Sequence, residues 1–176
     1  MRIETVRLGR QSLAVLIVIA IHAPTASAQS AIAAATGGPA LVKTLSHRDS
    51  AWQVGFGAER LNGPVGFGAD IDYVYFPPDT YALGGGHGTG SEPSLNMAAA
   101  TLKATYHFGQ DGTRSGARPF MAGGLSLLFQ GPEGEFGMIL LSGGVDWWTS
   151  RRAGIRVEVR GQFPIMLGVR AGIVFR

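Results

Sequence analysis

The residues of this chain best able to hold a metal or move a proton at neutral pH are its four histidines, His22, His47, His87 and His107. No HExxH or comparable ligand spacing joins them, and there is no cysteine, so neither a disulfide framework nor a thiolate metal site is available. His87 stands in "GGGHGTG", which looks like a phosphate cradle, but no Lys-Ser or Lys-Thr pair follows and no strand-to-helix context surrounds it. His87 therefore reads as a loop residue, while His47 and His107 fall near the ends of extended runs. A Ser-His-acid set depends on hydrogen-bond geometry rather than spacing, and no recognisable hydrolase motif stands here. The sequence points to no catalytic residue, no metal ligand and no cofactor.

The remaining chemistry is charge, and its placement is informative. Charged residues make up 15% of the 176 residues, against about 25% in soluble domains. In "RAGIRVEVRGQF" (152–163), Ile155, Val157 and Val159 alternate with Arg156, Glu158 and Arg160, so an extended chain puts them on opposite faces. The same alternation runs through "AWQVGFGAER", "VGFGADIDYVYF", "SLNMAAATLKATYHF", "ARPFMAGGLSLLFQ", "FGMILLSGGVDWW" and "IMLGVRAGIVFR", with turn-rich breaks between them. "PALVKTLSH" (39–47) is an eighth, weaker strand. One face of these strands is apolar. The other carries glycines together with Glu59, Asp70, Asp72, Lys103, Asp146, Arg156, Glu158, Arg160 and Arg170.

Two arrangements accommodate that pattern. In a soluble barrel the apolar row faces a core or ligand, and the charges face water. In a membrane barrel the apolar row faces lipid, and the charges fill the inside. The 27 glycines favour the second arrangement, because glycine weakens a strand unless something needs the space. The inside of an eight-stranded barrel is just wide enough for side chains to fill, so small residues beside large ones fit there. The near-equal acids and bases would pair in a closed structural network rather than line a conducting or catalytic path. The apolar face has aromatics toward its strand ends: Tyr73, Tyr75, Tyr106, Phe108, Phe129, Trp147, Phe163 and Phe175. Membrane barrels carry such girdles at both interfaces.

The chain start fits that location. "MRIETVRLGR", "LAVLIVIAI" and "ASA" before Gln29 have the basic, apolar and small-residue parts of a signal peptide, predicted over residues 1–28. Its removal takes away three arginines and one glutamate, leaving a nearly neutral chain with no electrostatic case for nucleic acid. Residues 29–38 read as a flexible lead-in and residues 39–176 as one barrel domain. The glycine-rich stretch Pro77 to Pro93 reads as the long, mobile outer loop.

"YHF" closing one strand, "RPFMAGGLS" opening the next, "GGVDWWTSRRAGIRVEVRGQF" and the terminal "GVRAGIVFR" resemble the bacterial outer-membrane β-barrel domain family, with its small eight-stranded OmpA-like and OmpX-like members. The resemblance runs from about Ala51 to Arg176. It implies an all-β, eight-stranded antiparallel up-and-down transmembrane barrel in the outer membrane of a Gram-negative bacterium, with both termini in the periplasm. It implies contact with outer-membrane lipid and with the barrel-assembly machinery, which reads a terminal aromatic. Here Phe175 is second to last. The expected protein is a monomeric, porin-like but non-enzymatic barrel with a structural or surface-interaction role, in which loop 77–93 could meet a surface ligand. A soluble periplasmic lipocalin-like barrel and a lipid-modifying outer-membrane enzyme are the alternatives.

Overall fold

The computed structural model describes residues 31–43, 48–77, 79–82, 89–92, 95–109, 116–129, 135–164 and 166–176. Ten strands follow in chain order: β1 (Ala31–Lys43), β2 (Arg48–Asn62), β3 (Val65–Phe76), β4 (Asp79–Ala82), β5 (Thr89–Glu92), β6 (Leu95–His107), β7 (Gly116–Phe129), β8 (Glu135–Trp148), β9 (Ala153–Phe163) and β10 (Met166–Phe175). Eight of them form one closed antiparallel barrel in the order β1-β10-β9-β8-β7-β6-β3-β2. Each strand pairs with its successor, and β1 closes the ring by pairing with both β2 and β10. Closure removes the exposed edges that an open sheet would leave unpaired.

Both chain ends of the barrel lie at the same end, where Ala31 faces Arg60 and Ala33 faces Phe175. We call this the termini end and the other the loop end. The turn Gly63–Pro64 at the termini end is tight, and Gly63 has φ 61°, a left-handed conformation that suits glycine. At Gly38 and Pro39 the β1–β10 register is interrupted, whereas β1 keeps its register with β2 there. Proline has no N–H to give to a ladder, and β1 presents its Pro39 where one side is unpaired.

Two expectations need correcting. Residues 31–38, read as a lead-in, belong to β1, so the barrel begins at Ala31 rather than at residue 39. The run "AIAAATGG" carries too few large apolar residues to announce a strand, but its register with β2 and β10 holds it in the ladder. The stretch from Pro77 to Pro93 is not loop throughout: β4 and β5 pair in a hairpin with Asp79 opposite Glu92 and Tyr81 opposite Gly90. Thr and Tyr supply β-propensity that the neighbouring glycines masked. The signal peptide of residues 1–28, with its cleavage point, and His22, His47 and His87 lie outside the described residues, as does the end of the stretch 39–47 beyond Lys43.

The two faces sort cleanly. Trp52, Val54, Phe56, Phe67, Ile71, Leu125, Ile139, Leu141, Ile155, Val157, Val159, Leu167, Val169 and Ile173 are all exposed on the outside. All nine charged residues of the polar row are buried inside. An apolar exterior around a charged interior is the reverse of a lipocalin-like barrel, whose inside would be apolar, so the soluble reading falls. The chain is an eight-stranded up-and-down transmembrane β-barrel.

Of the interface aromatics, Tyr73, Tyr75, Tyr106, Phe108, Trp147, Phe163 and Phe175 are exposed, and Phe129 is half-buried. Tyr73, Tyr75, Phe129 and Phe163 sit toward the loop end. Tyr106, Phe108, Trp147 and Phe175 sit toward the termini end, where the Tyr106 and Phe108 rings meet edge to face at 5.0 Å. The exterior thus has aromatics toward both ends and a band between them that is aliphatic apart from Phe56.

Candidate functional site: the barrel interior

The site is built by strand parity. On β3, Asp70 and Asp72 point inward because Ile71 and Tyr73 point out; on β9, Arg156, Glu158 and Arg160 do the same beside Ile155, Val157 and Val159. Gly55 and Gly57 on β2 stand opposite Asp72 and Asp70 on β3. A Cβ at either glycine would run into the facing carboxylate oxygen. The glycines of the polar row therefore leave the room that the aspartates occupy.

The nine charges then interlock. Asp70 accepts from Lys103 Nζ at 3.1 Å through Oδ2, with Oδ1 2.8 Å away, and from Arg160 Nη1 at 2.6 Å. Arg160 Nη2 lies 3.0 Å from Asp72 Oδ2 and donates to Thr101 Oγ1 at 2.8 Å. Arg170 bridges Asp72 and Glu158, the latter at 2.6 Å. Arg156 holds Asp146 through Nε at 2.6 Å and Nη2 at 2.8 Å, a two-point guanidinium–carboxylate contact, and reaches Glu59 at 3.2 Å. Such two-point pairs are the stronger kind of charged hydrogen bond. Arg170 thus lies beside β9, and Asp146 supplies an acid from the strand before it. Glu158 pairs with Arg170 and not directly with Arg156, which Asp146 and Glu59 take instead.

Other buried polar residues lie outside that grouping of nine charges, among them His107, Arg118 and Gln162. His107, fully buried, shares a hydrogen bond of 3.1 Å between Nε2 and Glu59 Oε1, and its Nδ1 lies 4.0 Å from Asp146 Oδ2. Reading it as a strand-end residue misses that its parity, two steps on from Thr105, turns it inward. Arg118 is buried on β7, and Arg156 stacks 4.5 Å from the centre of the Phe120 ring beside it. Gln162 donates to Ser126 Oγ at 2.9 Å, and Ser126 is hydrogen-bonded to Thr101. Gln53, which the alternation of "AWQVGFGAER" puts on the polar face, is buried on the inner row.

Above and below this polar middle the interior turns apolar. At the loop end Val42, Val74, Phe76, Met97, Leu128, Met138 and Met166 meet around a cavity too small to hold more than about one water. At the termini end Ile32, Ala34, Leu61, Trp148 and Val174 form a second cluster. Val74 and Phe76 simply continue the inward row of Asp70 and Asp72, so extending the parity four residues would have found this layer. The interior is thus a charged section closed by an apolar layer at each end.

What this arrangement can do chemically is limited. Among the described residues no group of three or more His, Cys, Asp or Glu side chains placed to hold a metal gathers. The buried serine with a mapped network, Ser126, pairs in register with Thr101, while His107 pairs with Phe120. Six residues along a strand separate those levels by about 20 Å, far beyond hydrogen-bond reach. His107 is bonded to a carboxylate that a guanidinium already holds.

No protein-family model and no curated protein sequence matches the chain. Solved structures do. Neisserial surface protein A matches with a TM-score of 0.57 at 15% identity, covering 85% of this chain and 99% of that one. A structure from the de novo design of transmembrane β-barrels matches with a TM-score of 0.50 at 11% identity, covering 86% and 97%. The outer membrane enzyme PagL matches with a TM-score of 0.46 at 13% identity, covering 83% and 99%. At such identities the likeness is one of fold and carries no reaction. In strand number, order and closure, this chain has the fold of the small eight-stranded outer-membrane β-barrels.

Proposed function

We propose that the protein is a non-enzymatic outer-membrane barrel, closed to conduction, that serves as a rigid scaffold for interactions at its loop end. The observation that carries this reading is the filled interior. Among the described residues, nine charges sit between two apolar layers and fill the interior that a path or pocket would need. A barrel of this size with nothing to pass or transform inside it works through its surfaces. The loop end offers the β4–β5 hairpin, which extends beyond the barrel strands and is the natural meeting place for a surface ligand. In this reading a signal peptide delivers the chain to the periplasm, the assembly machinery reads the β10 strand with Phe175, and the barrel sits as a monomer with its termini end inward.

Support for the non-enzymatic part comes from this chain's own residues: the interior imidazole of His107 is hydrogen-bonded to the Glu59 carboxylate, and among the described residues no buried hydroxyl is shown bonded to it. Fractionation of cells expressing the protein, with gels of boiled and unboiled samples, tests the location; it should pellet with outer membranes and shift in mobility on heating. Purified barrels in planar bilayers should give no steady conductance. A soluble periplasmic product, or a stable open channel, would overturn the proposal.

A further inference from the structure

We propose that the apolar layer at the loop end holds a soft monovalent metal ion, Cu(I), on the thioether sulfurs of Met97, Met138 and Met166. The site lies inside the barrel and goes beyond the scaffold reading, whose location and surface role it does not need.

The chain has no cysteine, so thioethers are its sole sulfur ligands. Met97, Met121, Met138 and Met166 fall among the described residues. Three of these line one small cavity with room for about one water. Strand parity brings them there. Met97 shares the inward row of Thr101 and Lys103 on β6, Met138 that of Asp146 on β8, and Met166 that of Arg170 on β10. These are alternate strands of the wall, so the side chains enter from separate directions instead of stacking along one strand. All three are buried, whereas Met121 faces outward and is 56% exposed.

The lining selects the ion. The remaining walls, Val42, Val74, Phe76 and Leu128, are hydrocarbon. Ca²⁺ and Mg²⁺ require a shell of oxygen ligands, which these walls do not supply. Cu(I) is soft and takes thioether donors, and its single charge costs less to bury than a double one. Toward the charged section, Gln162 stands opposite Met166 across the β9–β10 register. Its Nε2 donates to Ser126 at 2.9 Å, while its buried Oε1 has no hydrogen-bond partner among the described residues. The negative end of that amide dipole borders the layer and favours a cation there. Methionine also fills irregular gaps in apolar cores. In that role it exchanges with leucine at little cost, because the volumes match. As a ligand it does not, because leucine has no lone pair. That difference sets the test.

The full chain, purified in detergent and chloride-free buffer, is titrated with silver nitrate, Ag(I) serving as the redox-inert stand-in for Cu(I). Native mass spectrometry should show a single silver ion retained per chain. In protein labelled at the methionine methyl carbons, the resonances of Met97, Met138 and Met166 should move together while that of Met121 stays in place. Cu(I) kept reduced by ascorbate should displace the silver, and millimolar Ca²⁺ or Mg²⁺ should not. Met97→Leu/Met138→Leu/Met166→Leu should keep the heat-shifted migration of the parent and lose the bound silver, whereas Met121→Leu should bind as the parent does. Each of the three single leucine variants should retain silver more weakly than the parent, so the test stands even where the triple variant fails to fold. No retained silver, retention undiminished in the leucine variants, or a Met121 resonance that moves with the others would overturn the proposal. So would displacement by Ca²⁺ or Mg²⁺. Loss of this site would leave the scaffold reading as it stands, since fractionation and conductance decide that separately.

Discussion

Arg160 Nη1 lies 2.6 Å from Asp70 Oδ2, although 90 residues separate them and their strands, β9 and β3, do not touch in the sheet. The contact is a strut across the barrel. Arg156 to Glu59 and Arg170 to Asp72 are two more, tying β9 to β2 and β10 to β3. Sheet hydrogen bonds fix the order of strands around the wall, and these struts join strands that are not neighbours. Asp70 is the most connected acid, since Lys103 also reaches it. Asp70→Asn should leave two buried cations short of a partner and cost about 3–5 kcal/mol. Urea unfolding from lipid vesicles measures this, and a cycle with Arg160→Gln should show coupling of about 0.5–3 kcal/mol. Strict additivity of the two single variants would mean that the strut carries no energy.

The glycines divide by what surrounds them. A Cβ on Gly144 would collide with the Val157 carbonyl oxygen, and one on Gly172 with that of Ala35, both backbone atoms that cannot swing aside. Gly137 has nothing within 4 Å of the same position. Gly144→Ala and Gly172→Ala should each lose about 1–3 kcal/mol through overpacking, whereas Gly137→Ala should stay within about 0.5 kcal/mol of the parent. Equal effects at all three positions in the same unfolding assay would show that interior space is not why these glycines are there.

Much of this molecule could be read from alternation alone, because a period of two assigns every residue of a strand to a face once one residue is placed. Hence β3 and β9 match their sequence bounds, and all nine lumen charges were legible from "GFGAER", "GADID", "TLKAT", "GVDWW", "IRVEVR" and "GVRAG". What parity cannot supply is partner choice. Glu158 sits between Arg156 and Arg160 in sequence, yet it pairs with Arg170 across a β9–β10 register that depends on the turn at Pro164. β1 was weakest for the same reason that it is a strand: Ala, Thr and Gly have little pattern of their own and gain it from two neighbours. The apolar end layers were missed because the inward row was read as uniformly polar, whereas its chemistry changes with depth at Val74 and Phe76.

Val157 tests the exterior. It is 48% exposed on the outward row of β9, between Ile155 and Val159, which are exposed as well. In a bilayer that exposure is to acyl chains. Val157→Arg should therefore cost about 2–4 kcal/mol near the midplane, and a spin label there should respond to lipid-soluble oxygen more than to a water-soluble relaxant. A label reporting bulk water would contradict a membrane setting, and a near-neutral Val157→Arg would place this row near an interface.

His107 separates a structural interior from a reactive one. Its ring is fully buried, bonded to Glu59, and packed 5.8 Å from the centre of the Phe120 ring that Arg156 also covers. Replacing it with Leu keeps much of the volume but leaves Glu59 Oε1 with Arg156 as its remaining partner. A buried acceptor that loses a donor typically costs about 1–3 kcal/mol. His107→Leu should therefore lower stability by that amount without changing lipid or surface binding. His107→Gln can still donate toward Glu59 and should recover part of the loss. The combined Glu59→Gln/His107→Leu variant should not recover it, because Glu59 also holds Arg156 and its removal loosens a strut between β2 and β9. If His107→Leu is as stable as the parent, the hydrogen bond contributes nothing. If it folds normally but abolishes a lipid-modifying activity, the non-enzymatic reading is wrong and the imidazole is its catalytic base.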